Sequence, residues 1–230
     1  MISIIIPAYN AAKTIKQCLE SIFNQTYQNF EVIIVNDGAT DNTAKVVLDF
    51  ARTIKLISQT NQGANAARNR GAKEAKGDYL LFCDADIVMR PDTLEKMVHI
   101  LEQHPEASYA YSSFKFGWKT FKLWPFNAER LRRMPYIHTT SLIRHEHFPK
   151  FDESVKRLQD WDLWLTMLEQ GHTGAWIPEV LFQIINTKGT MSQWIPSFLH
   201  KMPWKWLGIQ PKAILRYNEA VARIKAKHKL

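Results

Sequence analysis

Four short apolar runs punctuate the first ninety residues, and each stops at a polar or turn-forming cluster. ISIII (2–6) ends at Pro7, FEVIIVND (30–37) runs into Gly38, IKLISQ (54–59) follows, and DYLLFCDAD (78–86) closes the set. Such runs, apolar throughout rather than alternating, predict strands buried on both faces. Segments with the 3.6-residue period of a helix lie between them. In 14–26 the apolar positions are Ile15, Cys18, Leu19, Ile22 and Phe23; in 43–52 they are Ala44, Val47, Leu48 and Ala51, with Thr40 or Asp41 as the expected cap. An alanine-rich helix is expected over 64–76, stopped at Gly77, and a further one over 92–103 with Leu94, Met97, Val98 and Leu101 inward. Strands alternating with helices predict an α/β fold: a Rossmann-like, mostly parallel sheet with helices on both faces.

The alternation loosens after residue 105. ASYAYSSFKF (107–116) and TTSLIR (139–144) read as strands, joined by an aromatic, basic connection. WDLWLTMLEQG (161–171) reads as a helix with Trp161, Trp164, Leu165 and Leu168 on one side, AWIPEVLFQI (175–184) as a further extended piece, and 211–226 as a last helix with Ile214, Tyr217, Val221 and Ile224 inward. The expected division is a ligand-binding half over 1–105, a second half of the same domain over 106–192 carrying a small subdomain, and a basic C-terminal helical tail over 193–230. At 230 residues and 46% hydrophobic content, one domain can bury a sizeable core.

In open parallel sheets, ligands bind beyond the carboxyl ends of the strands. Three polar clusters fall at such ends: Pro7-Ala8-Tyr9-Asn10, Asn36-Asp37-Gly38 and Asp84-Ala85-Asp86. Turn chemistry alone accounts for Asn36 and Gly38. Two carboxylates closing an apolar strand are harder to explain, because an unpaired buried carboxylate costs several kcal/mol. The bland account leaves Asp86 in solvent, paired with Arg90. No GxxxxGK[ST] loop and no GxGxxG follows a strand, which argues against a P-loop NTPase and a dinucleotide oxidoreductase. If phosphates bind at this rim, paired carboxylates suit a hard cation, Mg2+ or Mn2+. Cys18 and Cys83 lack metal spacing and read as small buried hydrophobes of a reducing compartment. Arg144-His145-Glu146-His147 reads as a solvated turn rather than a zinc site.

The stretches SIIIPAYN, EVIIVNDGATDNT, NQGANAARNRGAKEAKGDYLLFCDAD and QDWDLWL, in this order over roughly residues 1–185, resemble family 2 of the nucleotide-sugar glycosyltransferases, with the GT-A fold. The resemblance implies an inverting transfer of a sugar from a nucleoside diphosphate donor, a UDP-sugar being favoured. Pro7, Ala8, Tyr9, Asn10, Asp37, Asn65, Arg68, Asp84, Ala85 and Asp86 would then bind the donor, with Asp37 accepting from a base N–H. Asp84 and Asp86 match the DxD motif and would hold Mn2+ or Mg2+. Asp160 would be the general base, with Asp162 as its rival; Asp160 also reads as a helix N-cap. The chain departs from the pattern in two places. Gln159 stands where a Glu usually precedes the base, and QIINTKGTMS (183–192) carries no histidine, leaving Lys188 as a source of charge. Two other readings stay open: a non-catalytic nucleotide-sugar-binding subunit and a sugar nucleotidyltransferase.

Charge changes the picture only at the C-terminus. Residues 201–230 hold eight Lys and Arg against Glu219 alone, so nearly all of the net +8 lies there. With the tryptophans of WIPSFLHKMPWKWLGI (194–209), this predicts contact with an anionic membrane surface. A lipid-linked glycan acceptor would suit such an anchor, and Trp118, Trp124 and Phe126 are candidates to stack on sugar or lipid. No nucleic-acid module is recognisable, so no nucleic-acid partner is expected. Met1 leads directly into a strand and no run reaches the length of a spanning helix. The expectation is a cytoplasmic protein, active in cell-envelope polysaccharide assembly at the inner face of the membrane.

Overall fold

The computed structural model describes residues 1–50, 53–185 and 211–230. The chain divides into two compact units, Met1–Ile185 and Asn186–Leu230. In the first, β1 (Ile2–Ala8), α1 (Ile15–Phe23), β2 (Phe30–Asp37), α2 (Thr43–Leu48), β3 (Lys55–Gln59), α3 (Ala64–Lys73) and β4 (Tyr79–Phe82) realise the expected alternation. They are followed by β5 (Ile87–Met89), α4 (Thr93–Gln103), β6 (Tyr109–Phe116), β7 (Lys119–Phe121), α5 (Ala128–Arg133), β8 (Leu142–Arg144), a single 3-10 turn (His145–His147), α6 (Gln159–Glu169) and β9 (Gly174–Ile184). All nine strands join one sheet in the order β3-β2-β1-β4-β8-β6-β9-β5, with β7 paired to β6.

β1 pairs in parallel with both β2 and β4, and β2 with β3. β8 and β5 run antiparallel to their neighbours, while β6 and β9 are parallel to each other. The alternation of β1 sorts its side chains between two layers. Ile2, Ile4 and Ile6 join a cluster with Ile15, Cys18, Leu19 and Ile22 of α1 and Leu94, Met97 and Leu101 of α4. Ile5 faces the other way, toward α3. There Gly71 lets the helix come close: a Cβ at this position would stand 2.4 Å from Ile5 Cγ2.

The structure corrects several boundaries. α3 stops at Lys73, so Gly77 is no helix terminator; its bare Cα is needed because a Cβ would stand 2.6 Å from the Ser3 backbone nitrogen. α2 ends at Leu48, which is largely exposed, and its N-cap residue is Asn42; Asp41 nonetheless accepts from the Thr43 amide at 2.9 Å. β4 ends at Phe82, so the acids of 84–86 lie in a turn beyond the strand, not within it. The 193–209 part of the tail lies outside the described residues. Within the second unit, α7 (Lys212–Lys227) carries Ile214, Tyr217, Val221 and Ile224 on its less exposed side, as its periodicity predicts. No helix among the described residues is long and apolar enough to cross a membrane.

Candidate active site

The chain builds outward from β1 to β2 and β3, then returns to β4 on the other side of β1. That reversal opens a crevice at the carboxyl ends of β1 and β4, and the acids of the DAD stretch emerge there. The Cys83 amide still bonds Ile5 O at 2.9 Å, after which the Ile87 amide closes a turn on Asp84 O at 3.0 Å. Ala85 and Ile87 point into the core, and alternation leaves Asp84 and Asp86 partly exposed. The two cysteines lie behind this turn with their sulfurs 3.8 Å apart, and Cys18 Sγ is 3.6 Å and Cys83 Sγ 3.7 Å from Asp84 O. They are buried, as expected, and in addition they line the back of the turn. On its far side, the Ile185 amide donates to Asp86 O at 2.8 Å.

Arg68 rises from α3 and donates from Nη2 to Asp84 Oδ1 at 2.7 Å and from Nη1 to Asn65 Oδ1 at 3.2 Å. It is only 4% exposed, so it is not part of a solvated helix face. Burial works against ionisation of Asp84, but the Arg68 guanidinium, His138 and the hydrogen bond from Arg68 outweigh it and hold the carboxyl below its ordinary range. Asp86 lacks such a partner. Burial, then the neighbouring Asp84 charge, push it up to about 7. Arg90 does not relieve it, because that guanidinium pairs with Asp92 at 2.7 Å and Glu179 at 3.0 Å. A pair in which one acid is held ionised and the other is left frustrated fits a divalent cation, whose charge would favour both carboxylates. Among the described residues no third His, Cys, Asp or Glu completes a metal cluster.

Asp160 lies in the first turn of α6, near enough to feel the charges of His138 and Arg68. The N-cap position belongs to Leu158, so Asp160 is not the cap; its Oδ1 accepts from the Trp161 amide at 2.8 Å. Leu158 adopts a left-handed conformation, φ +57°. Backbone strain of that kind in a side-chain-bearing residue costs about 1–3 kcal/mol and gathers at functional sites. Burial raises the Asp160 carboxyl above its ordinary range, against the opposing pull of His138, the Trp161 amide and Arg68. The rival, Asp162, is 3% exposed and belongs to the core side of the helix. The tryptophans of the same turn fix the helix. Trp161 Nε1 donates to Leu131 O at 2.6 Å and Trp164 Nε1 to Ile137 O at 2.9 Å.

The remaining expected donor ligands divide by geometry. Tyr9 is 52% exposed at the rim and Pro7 is half-buried, whereas the Ala8 and Ala85 side chains are buried and can offer only main chain. Asn10, with φ +50°, ties the β1 end to the next loop by accepting from the Thr40 amide at 2.8 Å. Asp37 is 3% exposed and accepts from Gln59 Nε2 at 2.8 Å, Gln62 N at 2.9 Å and Gly63 N at 2.8 Å. A carboxylate has about four acceptor directions, so at most one remains for a ligand. Asn65 is buried too, and its amide holds Asp152 O at 2.7 Å and Val155 O at 3.1 Å. Both residues shape the crevice by pinning its loops. Lys188 lies outside the described residues. In the RHEH stretch, His145 bonds Gly77 O at 2.8 Å and the His147 ring stacks on that of His172 at 4.3 Å.

One residue of the crevice escaped the sequence reading. His138 is close enough to feel the charges of Asp84, Asp160 and Arg68. It lies in a loop with no periodicity and no motif, so nothing in its local pattern singled it out.

The fold has counterparts among known proteins. The chain matches a family model described as glycosyl transferase family 2 over residues 3–156. It is 33% identical over 189 residues to an uncharacterized glycosyltransferase of Haemophilus influenzae, covering 74% of this chain and 63% of that protein, so it spans less than two thirds of that relative's length. A glycosyltransferase of Escherichia coli named YibD, also uncharacterized, is 41% identical over 100 residues, or 42% of this chain and 29% of that one. Among solved structures, TarS 1–349 of S. aureus in complex with UDP-GlcNAc superposes with a TM-score of 0.72 at 20% identity, covering 87% of this chain and 63% of that one. The mannosyltransferase PcManGT of Pyrobaculum calidifontis, solved with GDP-Man and Mn2+, gives 0.69 at 21% identity, covering 82% and 58%. The curled, mostly parallel sheet is thus the GT-A architecture, and the chain belongs to glycosyltransferase family 2.

Proposed function

We propose that the protein transfers a sugar from a nucleoside diphosphate donor, a UDP-sugar being favoured, to a hydroxyl of a glycan or lipid-linked glycan, with inversion and with Mn2+ or Mg2+ as cofactor. The observation that carries this reading is the convergence, on one crevice, of the Arg68-supported Asp84, the frustrated Asp86 and a third, separately positioned carboxylate, Asp160. The solved neighbours with UDP-GlcNAc and GDP-Man support a nucleotide-sugar donor, and the one with Mn2+ supports the metal.

Asp84 and Asp86 would hold the cation, which when bound supplies positive charge opposite the diphosphate. Arg68 keeps Asp84 ionised and in place. Asp160 accepts the proton of the acceptor hydroxyl as its oxygen bonds to the anomeric carbon. The bond from that carbon to the diphosphate breaks in the same displacement, and its electron pair leaves with the nucleoside diphosphate. A carboxyl pushed upward by burial is a stronger base than an exposed one, which suits the task. Attack from the face opposite the departing group inverts the anomeric configuration, and no enzyme nucleophile is required.

The test is to incubate the full chain with a panel of UDP- and GDP-sugars, with Mn2+ or with chelator, and to measure released nucleoside diphosphate. Release that requires the metal, and that is lost in Asp160→Asn while donor binding persists, is the expected result. Release indifferent to chelator would remove the metal from the proposal, and full turnover by Asp160→Asn would remove the base.

A further inference from the structure

His138 has no part in the reaction just described, yet its ring is held in place. The Thr140 amide donates to Nδ1 at 3.0 Å, which places the proton of the neutral imidazole on Nε2. Phe114 and Phe182, stacked on each other, each lie 5.2 Å from the His138 ring. The backbone is pinned as well: Ser141 Oγ donates to His138 O at 2.8 Å, and the preceding carbonyl, Ile137 O, receives the Trp164 indole of the helix that carries Asp160. The loop of His138 and the helix of Asp160 are thereby set in one register. The ring is half-buried, and no described residue accepts from Nε2. Its Nε2 is not sealed in the core, so the N–H is open to a ligand or to water.

The charged groups close enough to act on this ring are Asp84, Asp160 and Arg68. In the proposed reaction the diphosphate lies toward Asp84 and the acceptor toward Asp160, so the sugar in transit must occupy the interval between them. We propose that His138 is a substrate-recognition residue whose Nε2–H donates to one hydroxyl oxygen of the transferred sugar, its ring held against the stacked pair of Phe114 and Phe182. With Nδ1 taken by the Thr140 amide, the neutral ring offers a single donor, Nε2–H, the form such recognition needs. A rigid, partly desolvated donor discriminates strongly, because a sugar lacking the hydroxyl leaves the N–H without a partner. The inference rests on the donor-site reading above and adds to it a determinant of which sugar is accepted.

The experiment compares wild type, His138→Phe and His138→Gln on the best nucleotide sugar of the panel and on its monodeoxy analogues. Phe fills the space against Phe114 and Phe182 without a donor; Gln restores an N–H. With the complete sugar, kcat/KM of His138→Phe is expected to fall about 10- to 100-fold, with partial recovery in His138→Gln. With one particular monodeoxy donor, wild type and His138→Phe are expected to be equally slow. Unchanged melting temperatures establish that the variants are folded. An equal penalty across every analogue, no advantage of Gln over Phe, or a His138→Phe enzyme as active as wild type overturns this inference while leaving the donor reading intact. Failure of the wild type to turn over any nucleotide sugar overturns both.

Discussion

At the scale of single residues, environment gives three similar carboxylates different proton affinities. Asp84 is ionised beside Arg68, Asp86 is frustrated, and Asp160 is raised by burial. Asp160→Asn is expected to lower turnover about 100- to 10,000-fold and also to alter stability. Its native carboxyl binds a proton more tightly than the unfolded one, so its favourable contribution is complete below the unfolded value and is lost as pH rises through the folded one. The amide is free of that loss. The variant should therefore melt above wild type at neutral pH, and the gap should close as the buffer is acidified toward the ordinary carboxylate range. Arg68→Met leaves the Asp84 carboxylate and the Asn65 carbonyl without their donor. Asp84 keeps some solvent, with a side chain 32% exposed, so a cost of about 1–3 kcal/mol in urea unfolding is expected. Arg68→Lys should recover part of this, since an ammonium keeps the charge but not the fork. The acid pair was legible because carboxylates closing an apolar strand are conspicuous. Leu158 and His138 were not: a left-handed φ before a helix and a ring placed by a long loop leave no local trace.

At the scale of elements, what escaped the sequence reading is short. β1 to β4 and the helices between them carry enough apolar positions to declare their period. β5 and β7 have three residues each and α5 has six. β5 exists because Ile87, Val88 and Met89 find Ile184, Gln183 and Phe182 of β9, a pairing far away in sequence. Its presence shortens the strand expected over 78–86 and turns the acids out of the sheet. Two substitutions probe how the elements hold the crevice. Gly71→Ala drives a methyl into the buried Ile5 and should cost about 1–3 kcal/mol by separating α3 from β1; because Arg68 rides on α3, donor affinity should fall with it, as read by titration calorimetry. Trp164→Phe keeps most of the packing but strips the donor from Ile137 O. It is expected to cost about 1–2 kcal/mol, seen as a lower melting temperature.

At the scale of the whole molecule, the basic C-terminus is the feature composition announces. α7 ends with Lys225 and Lys227 in its last turn. The 230-residue chain is expected to sediment with anionic vesicles at low salt and to be released as ionic strength rises, since screening weakens such attraction; failure to bind at any salt would remove the membrane partner. The first unit shows a different logic. The sheet runs across residue 105, where the pattern of the sequence loosens. β5 lies before that point and β9 after it, β4 pairs with β8, and α4 rests on β6 and β9. The connecting residues 102–106 are exposed. The gene could therefore be severed between codons 105 and 106 and the pieces produced together. Each fragment would be born with a raw sheet margin whose natural complement is the other, so the pair should reassemble into a working enzyme where neither fragment works alone, making the chain a candidate for a split reporter.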